Sequence, residues 1–474
     1  MLKLPVLRWG TPYHSLSTDR IFHFDTGEEI AEFSQSDGMM IRRDRRHSTR
    51  ARDALRAIPA KELVAMCEAA ADVFVHDELP IGDQMQTTEE FVHCQSATTG
   101  LPEHMCRTNM DKLHFVLANM GSILDALTRG LDLQILSDGF GADKDGRTVS
   151  MQAQTDVLGA VLPSNSPGVH SLWLPVIPMQ IGLALKTGAQ EPWTAFRMAE
   201  ALFKTGIPRE AISIYPSGGD AGPALMNAYE RVMIFGGLPT VEKYSGDPRV
   251  QVHGPGWSKV LFGEDKVDDW EDYLDMMVDS VLLNSGRSCI NCSSIWVPRR
   301  GREIAEAIAE RLAKVEPLGP TDPNAPLAAF TVAEVGEAIS ELIDGELEAS
   351  GAEDICQTMR GTPRAVSKER CSYVLPTVVH VDDPDAPIVS KEFMFPFVNV
   401  VECPQEQMVE KIGYTLVGTG VTEDAQFRRE LIDATNIDRL NIGNVPTTKL
   451  DWYQPHEGNI VEWLYRARSF QSAA

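Results

Sequence analysis

V-L-G-A-V-L-P-S-N-S-P-G-V-H-S-L-W-L-P-V-I-P-M-Q-I-G-L-A-L-K-T, residues 157 to 187, is the stretch that decides the fold. Residues 157–162 form a continuous apolar run of strand length, 163–168 read as a turn, 172–183 are apolar and helix-like, and 184–187 open a second strand. Downstream, 193–205 predicts a helix closed by Gly206 and stopped by Ile207-Pro208. Residues 211–215 and 232–235 read as further strands with a helix over 222–230 between them. Strands alternating with helices of this length predict an α/β fold with a doubly wound parallel sheet, which offers free N–H groups at its strand ends to nucleotide phosphates. Phe235-Gly236-Gly237 follows the last strand and would let backbone approach a pyrophosphate, although glycine there more often marks a plain turn.

A second block of strands and helices begins near residue 250. Strands are expected at 259–262, 294–297, 372–380, 397–401 and 416–421, and helices at 270–283, 302–315, 331–345 and 404–413, with a proline-rich connection over 317–326. Upstream, 48–78 and 108–129 are helical by apolar spacing, Pro59 dividing the first, and 131–156 predict a long protruding hairpin. Between the helix and strand of the second block stands N-S-G-R-S-C-I-N-C-S-S-I-W-V-P, residues 284 to 298. Cys289 lies in its small polar turn, where a nucleophile can be reached. The competing reading is a filler residue, since free cysteine is among the most buried types. Cys289 and Cys292 form C-x-x-C without the second pair or histidines that zinc wants, and no metal site is expected.

At 474 residues the chain exceeds what one core supports, so two or three domains are expected. A formal charge of -25 argues against nucleic-acid or anionic-membrane partners. The one basic cluster, Arg42 to Arg52, reads as a solvated helix start. Eight scattered cysteines, no long apolar run and no signal-like N-terminus place the chain in the cytoplasm.

P-S-N-S-P (163–167), A-L-K-T-G-A-Q-E-P (184–192), M-I-F-G-G (233–237), N-S-G-R-S-C (284–289) and K-E-F-M-F-P-F (391–397), in that order, resemble the aldehyde dehydrogenase superfamily over residues 40 to 465. The resemblance implies a Rossmann-like cofactor domain (1–130 and 157–251), an α/β catalytic domain (252–445) and a β-hairpin oligomerisation arm with a C-terminal strand (131–156 and 446–474). It implies Cys289 as nucleophile, Asn165 as oxyanion donor, and an NAD or NADP site built from Lys186, Gly222, Gly236, Gly237 and Glu392. Without it, Lys186 and Glu392 would read as surface charges. A small-molecule aldehyde or acyl-CoA as partner, and a homodimer or homotetramer, follow from the same resemblance.

Three departures from the family pattern carry consequences. Where hydrolytic members place a glutamate general base, this chain has His253-Gly254-Pro255-Gly256. A positioned base contributes ~10²–10⁴-fold, so its loss points to a thiol acceptor, CoA, for the acyl group. Glu457 matches a second glutamate at the tunnel rim, and with it His253 or His456 offers a base for hydrolysis as the alternative. Ala189 replaces a ribose-binding glutamate, which admits NADP, and Met394 stands where phenylalanine is usual. A non-catalytic binding or scaffold member of the fold is the reading from another class.

Overall fold

A computed structural model describes residues 1–216 and 220–472. Five parallel strands form the heart of the first sheet, in the order Val250–His253, Arg231–Phe235, Val157–Val161, Gly182–Lys186, Ile212–Ile214. Two antiparallel strands, Val6–Arg8 and Thr11–Tyr13, extend its far edge. The chain runs outward from Val157–Val161 in one direction, then returns to lay Arg231–Phe235 on its other side. The carboxyl ends of those two strands are therefore the topological switch point, where open α/β sheets bind ligands.

A sheet covered on both faces needs apolar side chains on both faces, because successive residues point to opposite sides. Leu158, Ala160, Leu183 and Leu185 enter one buried cluster, while Val157, Ala184, Val232 and Ile234 enter another. The second sheet obeys the same rule. Its order is Glu353–Asp354, Thr377–Val381, Phe397–Glu402, Cys292–Val297, Ser258–Phe262, Thr415–Val421, Ile437–Ile442, all parallel except the first. Val260, Phe262, Ile295 and Val297 face one core; Leu261 and Trp296 face the other.

Pro59 does divide the N-terminal helical run, into Ser48–Arg56 and Ala60–His76. The basic cluster lies over the helix Gly38–Asp44, a 3-10 turn and the next helix, with Arg45 paired to Glu230 and Arg52 to Asp156. Four expectations need correction. Residues 172–183 hold no α-helix: a 3-10 turn, Pro167–Leu172, ends at its start, a second covers Leu174–Val176, and the strand Gly182–Lys186 begins within it, because Pro175 and Pro178 interrupt the apolar run. The hairpin is shorter than 131–156: Gln134–Asp138 is a helical turn, and only Phe140–Ala142 and Thr148–Ala153 pair. The strand foreseen over 372–380 is two, Ser372–Val374 and Thr377–Val381, parted at Pro376, which cannot donate to a ladder. The helix foreseen over 270–283 is a 3-10 segment followed by Leu274–Leu282. The five N-terminal strands between Leu2 and Ser34, and Ile437–Ile442, had no counterpart in the sequence reading.

Thr148–Ala153 also pairs antiparallel with Tyr465–Ala467, so the hairpin gains a third strand from the C-terminal segment. Among the described residues no helix is long and apolar enough to cross a membrane.

Candidate active site

The Cys289 turn is held in a conformation its sequence could not keep alone. Asn284, Ser285 and Gly286 all have left-handed φ, at 54°, 56° and 67°. Such residues cost of order 1–3 kcal/mol each when not glycine, so the surroundings must over-determine them. Asn284 accepts from Asn109 Nδ2 at 3.1 Å and donates to Ser288 Oγ at 3.1 Å. Asn291 accepts the Ser288 N–H at 2.9 Å and donates to the Leu283 carbonyl at 2.9 Å. The buried Arg287 guanidinium donates to the carbonyls of Thr99 (3.0 Å) and Ala329. At Gly286 only glycine fits, since a Cβ would lie 2.4 Å from the carbonyl carbon of Phe395.

Cys289 is half-buried, whereas Cys292 begins a core strand and donates its S–H to the Ser294 carbonyl at 3.2 Å. Cys289 is thus the reachable member of the pair. Burial, with the negative charge of Glu392 added, pushes its thiol up to about 12, against the pull of the backbone N–H groups of Cys289 and Ile290. The resting sulfur is a protonated thiol at pH 7, and a base must take its proton before it attacks.

Asn165 is brought to this turn from the switch point. Its Nδ2 donates to the Arg287 carbonyl at 3.2 Å and to Met394 Sδ at 3.3 Å. The segment carrying it is anchored by Ser164 Oγ, which accepts the Gln190 N–H at 3.2 Å, and by His170 Nε2 against the fully buried Glu191 at 3.1 Å. A cavity of about 260 Å³ lies between the two sheets, lined by Cys289, Asn165, Gly236, Gly237, His253 and Met394 among others. A smaller one of about 50 Å³ shares His253 and His456 and adds Glu457.

His253 is the last residue of its strand, so its position follows from the cofactor sheet. Its Nδ1 lies against the Glu457 carboxylate, and the two side chains are 4% and 9% exposed. The ring stacks on Phe235 at 4.6 Å and beyond it on His456 at 6.4 Å. Burial and the neighbouring His456 push the imidazole well below its ordinary value, which keeps it neutral. Neither ring nitrogen of His253 has a hydrogen-bond partner among the described residues; a proton placed on Nδ1, towards Glu457, would leave Nε2 as an acceptor. His456 is driven down to about 3 by burial and by Arg439.

The residues expected to hold a cofactor divide into two groups. Lys186 ends its strand half-buried, with no hydrogen bond or ion pair among the described residues and with burial lowering its pKa. Gly236 donates its N–H to the His253 carbonyl at 3.0 Å, Gly237 caps the following helix, and a Cβ on Gly222 would meet nothing within 4 Å. These positions fit a dinucleotide laid across the switch point. Glu392 is already engaged, accepting the N–H groups of Gly256 (3.1 Å) and Trp257 (2.5 Å). Burial pushes its carboxyl up to about 7, with those N–H groups and Lys259 opposing. Sequence reasoning missed Lys259, which is buried beside Glu392 and donates to the Trp257 carbonyl at 2.6 Å. A charged residue inside a strand of apolar neighbours was its only signal. For a metal, His380, Asp382 and Glu402 bring ligand atoms within 4.8 Å of one another, but Glu402 already accepts the Gly301 N–H at 2.6 Å.

The aldehyde dehydrogenase family model matches residues 14–459. The chain belongs to that family. A 5-carboxymethyl-2-hydroxymuconate semialdehyde dehydrogenase of Escherichia coli is 26% identical over 272 residues, 56% of each chain. Betaine aldehyde dehydrogenase 1 of Rhizobium meliloti is 24% identical over 294 residues, 59% of this chain and 58% of the relative. These matches span little more than half the length of either relative. Among solved structures, PnpE from Pseudomonas sp. WBC-3 superposes with a TM-score of 0.78 at 19% identity, over 98% of this chain and 97% of that one. An indole-3-acetaldehyde dehydrogenase of P. syringae, solved with NAD+, gives 0.78 at 17% identity over 99% and 96%. The family fold therefore extends over nearly the whole chain.

Proposed function

We propose that this family member oxidises an aldehyde through Cys289 and discharges the acyl group to water, with the His253–Glu457 pair as its base. The juxtaposition of a neutral buried imidazole and a carboxylate beside the cysteine's cavity carries this reading. It supplies what the missing family glutamate takes away. Cys289 gives up its proton to His253 Nε2, which passes it to solvent before the hydrolytic step; the sulfur adds to the aldehyde carbon, and the carbonyl oxygen becomes an alkoxide. Asn165 Nδ2, already aimed at the Cys289 turn, is placed to donate to that oxygen; one such donor is worth roughly 3–4 kcal/mol. A nicotinamide cofactor, with its pyrophosphate held at Gly236 and Gly237, would supply the hydride acceptor. What remains on Cys289 is a thioester. His253 Nε2 takes a proton from water as it adds, and Glu457 steadies the charged ring. Lys186 would hold the adenosine ribose, and the absence of a carboxylate at Ala189 admits NADP as well as NAD. The aldehydes in the relatives' names support an aldehyde substrate.

Acyl transfer to CoA is the second reading and rests on the absence of an acid at position 253. One experiment separates the two: the acyl product is identified by mass spectrometry with and without CoA. Hydrolysis predicts free acid and full turnover without thiol. His253→Ala should then lower steady-state turnover by about 10²–10⁴-fold and leave one equivalent of acyl group on Cys289. Turnover that requires CoA would remove the hydrolytic reading.

A further inference from the structure

We infer that the cavity over Cys289 is built for an aldehyde that also carries a carboxylate, with Lys112 as the counter-ion of that second group. This rests on the proposed aldehyde oxidation and names its substrate class. The helix Glu103–Ala118 presents Asn109, Lys112 and Val116 along one face, at the spacing of helical neighbours. Asn109 and Lys112 line the larger cavity and Val116 the smaller one. Asn109 is bonded to Asn284 of the cysteine turn, and Lys112 stands about one turn, roughly 5 Å, along the helix from it.

Lys112 makes no hydrogen bond or ion pair among the described residues, and not one aspartate or glutamate lines the larger cavity. Arg287, the other permanent cation there, already spends its guanidinium on two carbonyls. Lys112 is half-buried, and an amine partly withdrawn from water with no acid beside it is costly unless a ligand brings the charge; burial alone accounts for its lowered pKa. Its stem packs near Gly168, where a Cβ would lie 3.9 Å from Lys112 Cδ. The remaining wall is mostly apolar, with Val169, Leu172, Ile290, Leu450 and Trp452, beside Ser166, Ser171 and the side chains of His253 and His456. An aldehyde at Cys289, a short apolar body and a carboxylate at Lys112 satisfy each part of this lining.

The test compares 4-oxobutanoate, butanal and a trimethylammonium acetaldehyde on the full chain with NAD+ and NADP+. The expected kcat/KM for 4-oxobutanoate exceeds that for butanal at least about tenfold, and Lys112→Met shrinks this ratio by about 10- to 100-fold. Lys112→Arg retains most of it. Succinate should also protect Cys289 from iodoacetamide in the native protein and fail to do so in Lys112→Met. Equal use of butanal and 4-oxobutanoate, a preference for the cationic aldehyde, or a ratio untouched by Lys112→Met overturns the inference while aldehyde oxidation stands. Oxidation of no aldehyde, with succinate protection intact, would instead overturn the activity and leave the anion pocket.

Discussion

The two walls of the cavity that carry the chemistry are built on opposite principles. The Cys289 turn is locked by amides and carbonyls: Asn284, Asn291 and Arg287 saturate it with hydrogen bonds whose partners do not titrate near neutrality. Facing it, residues 253 to 259 and 456 to 457 hold His253, Lys259, His456 and Glu457, ionisable groups stripped of water. One wall keeps geometry; on the other, burial makes His253, His456 and Lys259 bind protons less readily than they would in water. A cysteine enzyme needs both, because an attack angle tolerates little displacement while the proton must change hands twice.

Removing chemistry without touching geometry gives the largest effect. Cys289→Ala should lower the rate of aldehyde-dependent NAD(P)H formation by at least about 10⁴-fold with thermal stability kept, because the alanine leaves the hydrogen-bonded turn intact. Retained activity, followed by absorbance, would move the nucleophile elsewhere. Gly256→Ala joins the two walls directly, since a Cβ there would sit 1.9 Å from the Cys289 carbonyl oxygen. A forced shift of that order should cost about 10²-fold in kcat, with a lowered melting temperature as the companion signal. An unchanged kcat would show that the turn yields more readily than its bonding suggests. The mildest test concerns the thiol itself. A pKa raised to about 12 means the thiolate fraction is small at pH 8 and grows as pH rises, so alkylation of Cys289 without cofactor should keep accelerating past pH 10. A plateau near pH 8.5 would place the sulfur in a wetter setting.

The parallel sheet and the cysteine turn were legible in the sequence because apolar runs and glycines report them directly. Asn165 and Cys289, 124 positions apart, could be paired only by resemblance to a family; periodicity says nothing of such distances. The helix expected over 172–183 failed because hydropathy cannot separate an apolar helix from apolar turns, and the prolines there were under-weighted. The engagement of Glu392 was invisible too: a carboxylate clamped on two backbone N–H groups looks the same in sequence as one on the surface. The pairing of His253 with Glu457 joins residues at the two ends of the chain's second half. Only the fold brings the two side chains together.

The short link from His253 to Ser258 deserves a mechanical reading. His253 ends a strand of one seven-stranded sheet and Ser258 begins a strand of the other. Glu392 grips the middle of that link by two N–H groups. The link carries the imidazole at one end and leads at the other into the strand beside the cysteine turn, so a change in its course would shift the imidazole relative to the sulfur. On the hydrolytic reading proposed above, a shift in this link would carry the base away from the thioester as well as altering the cleft.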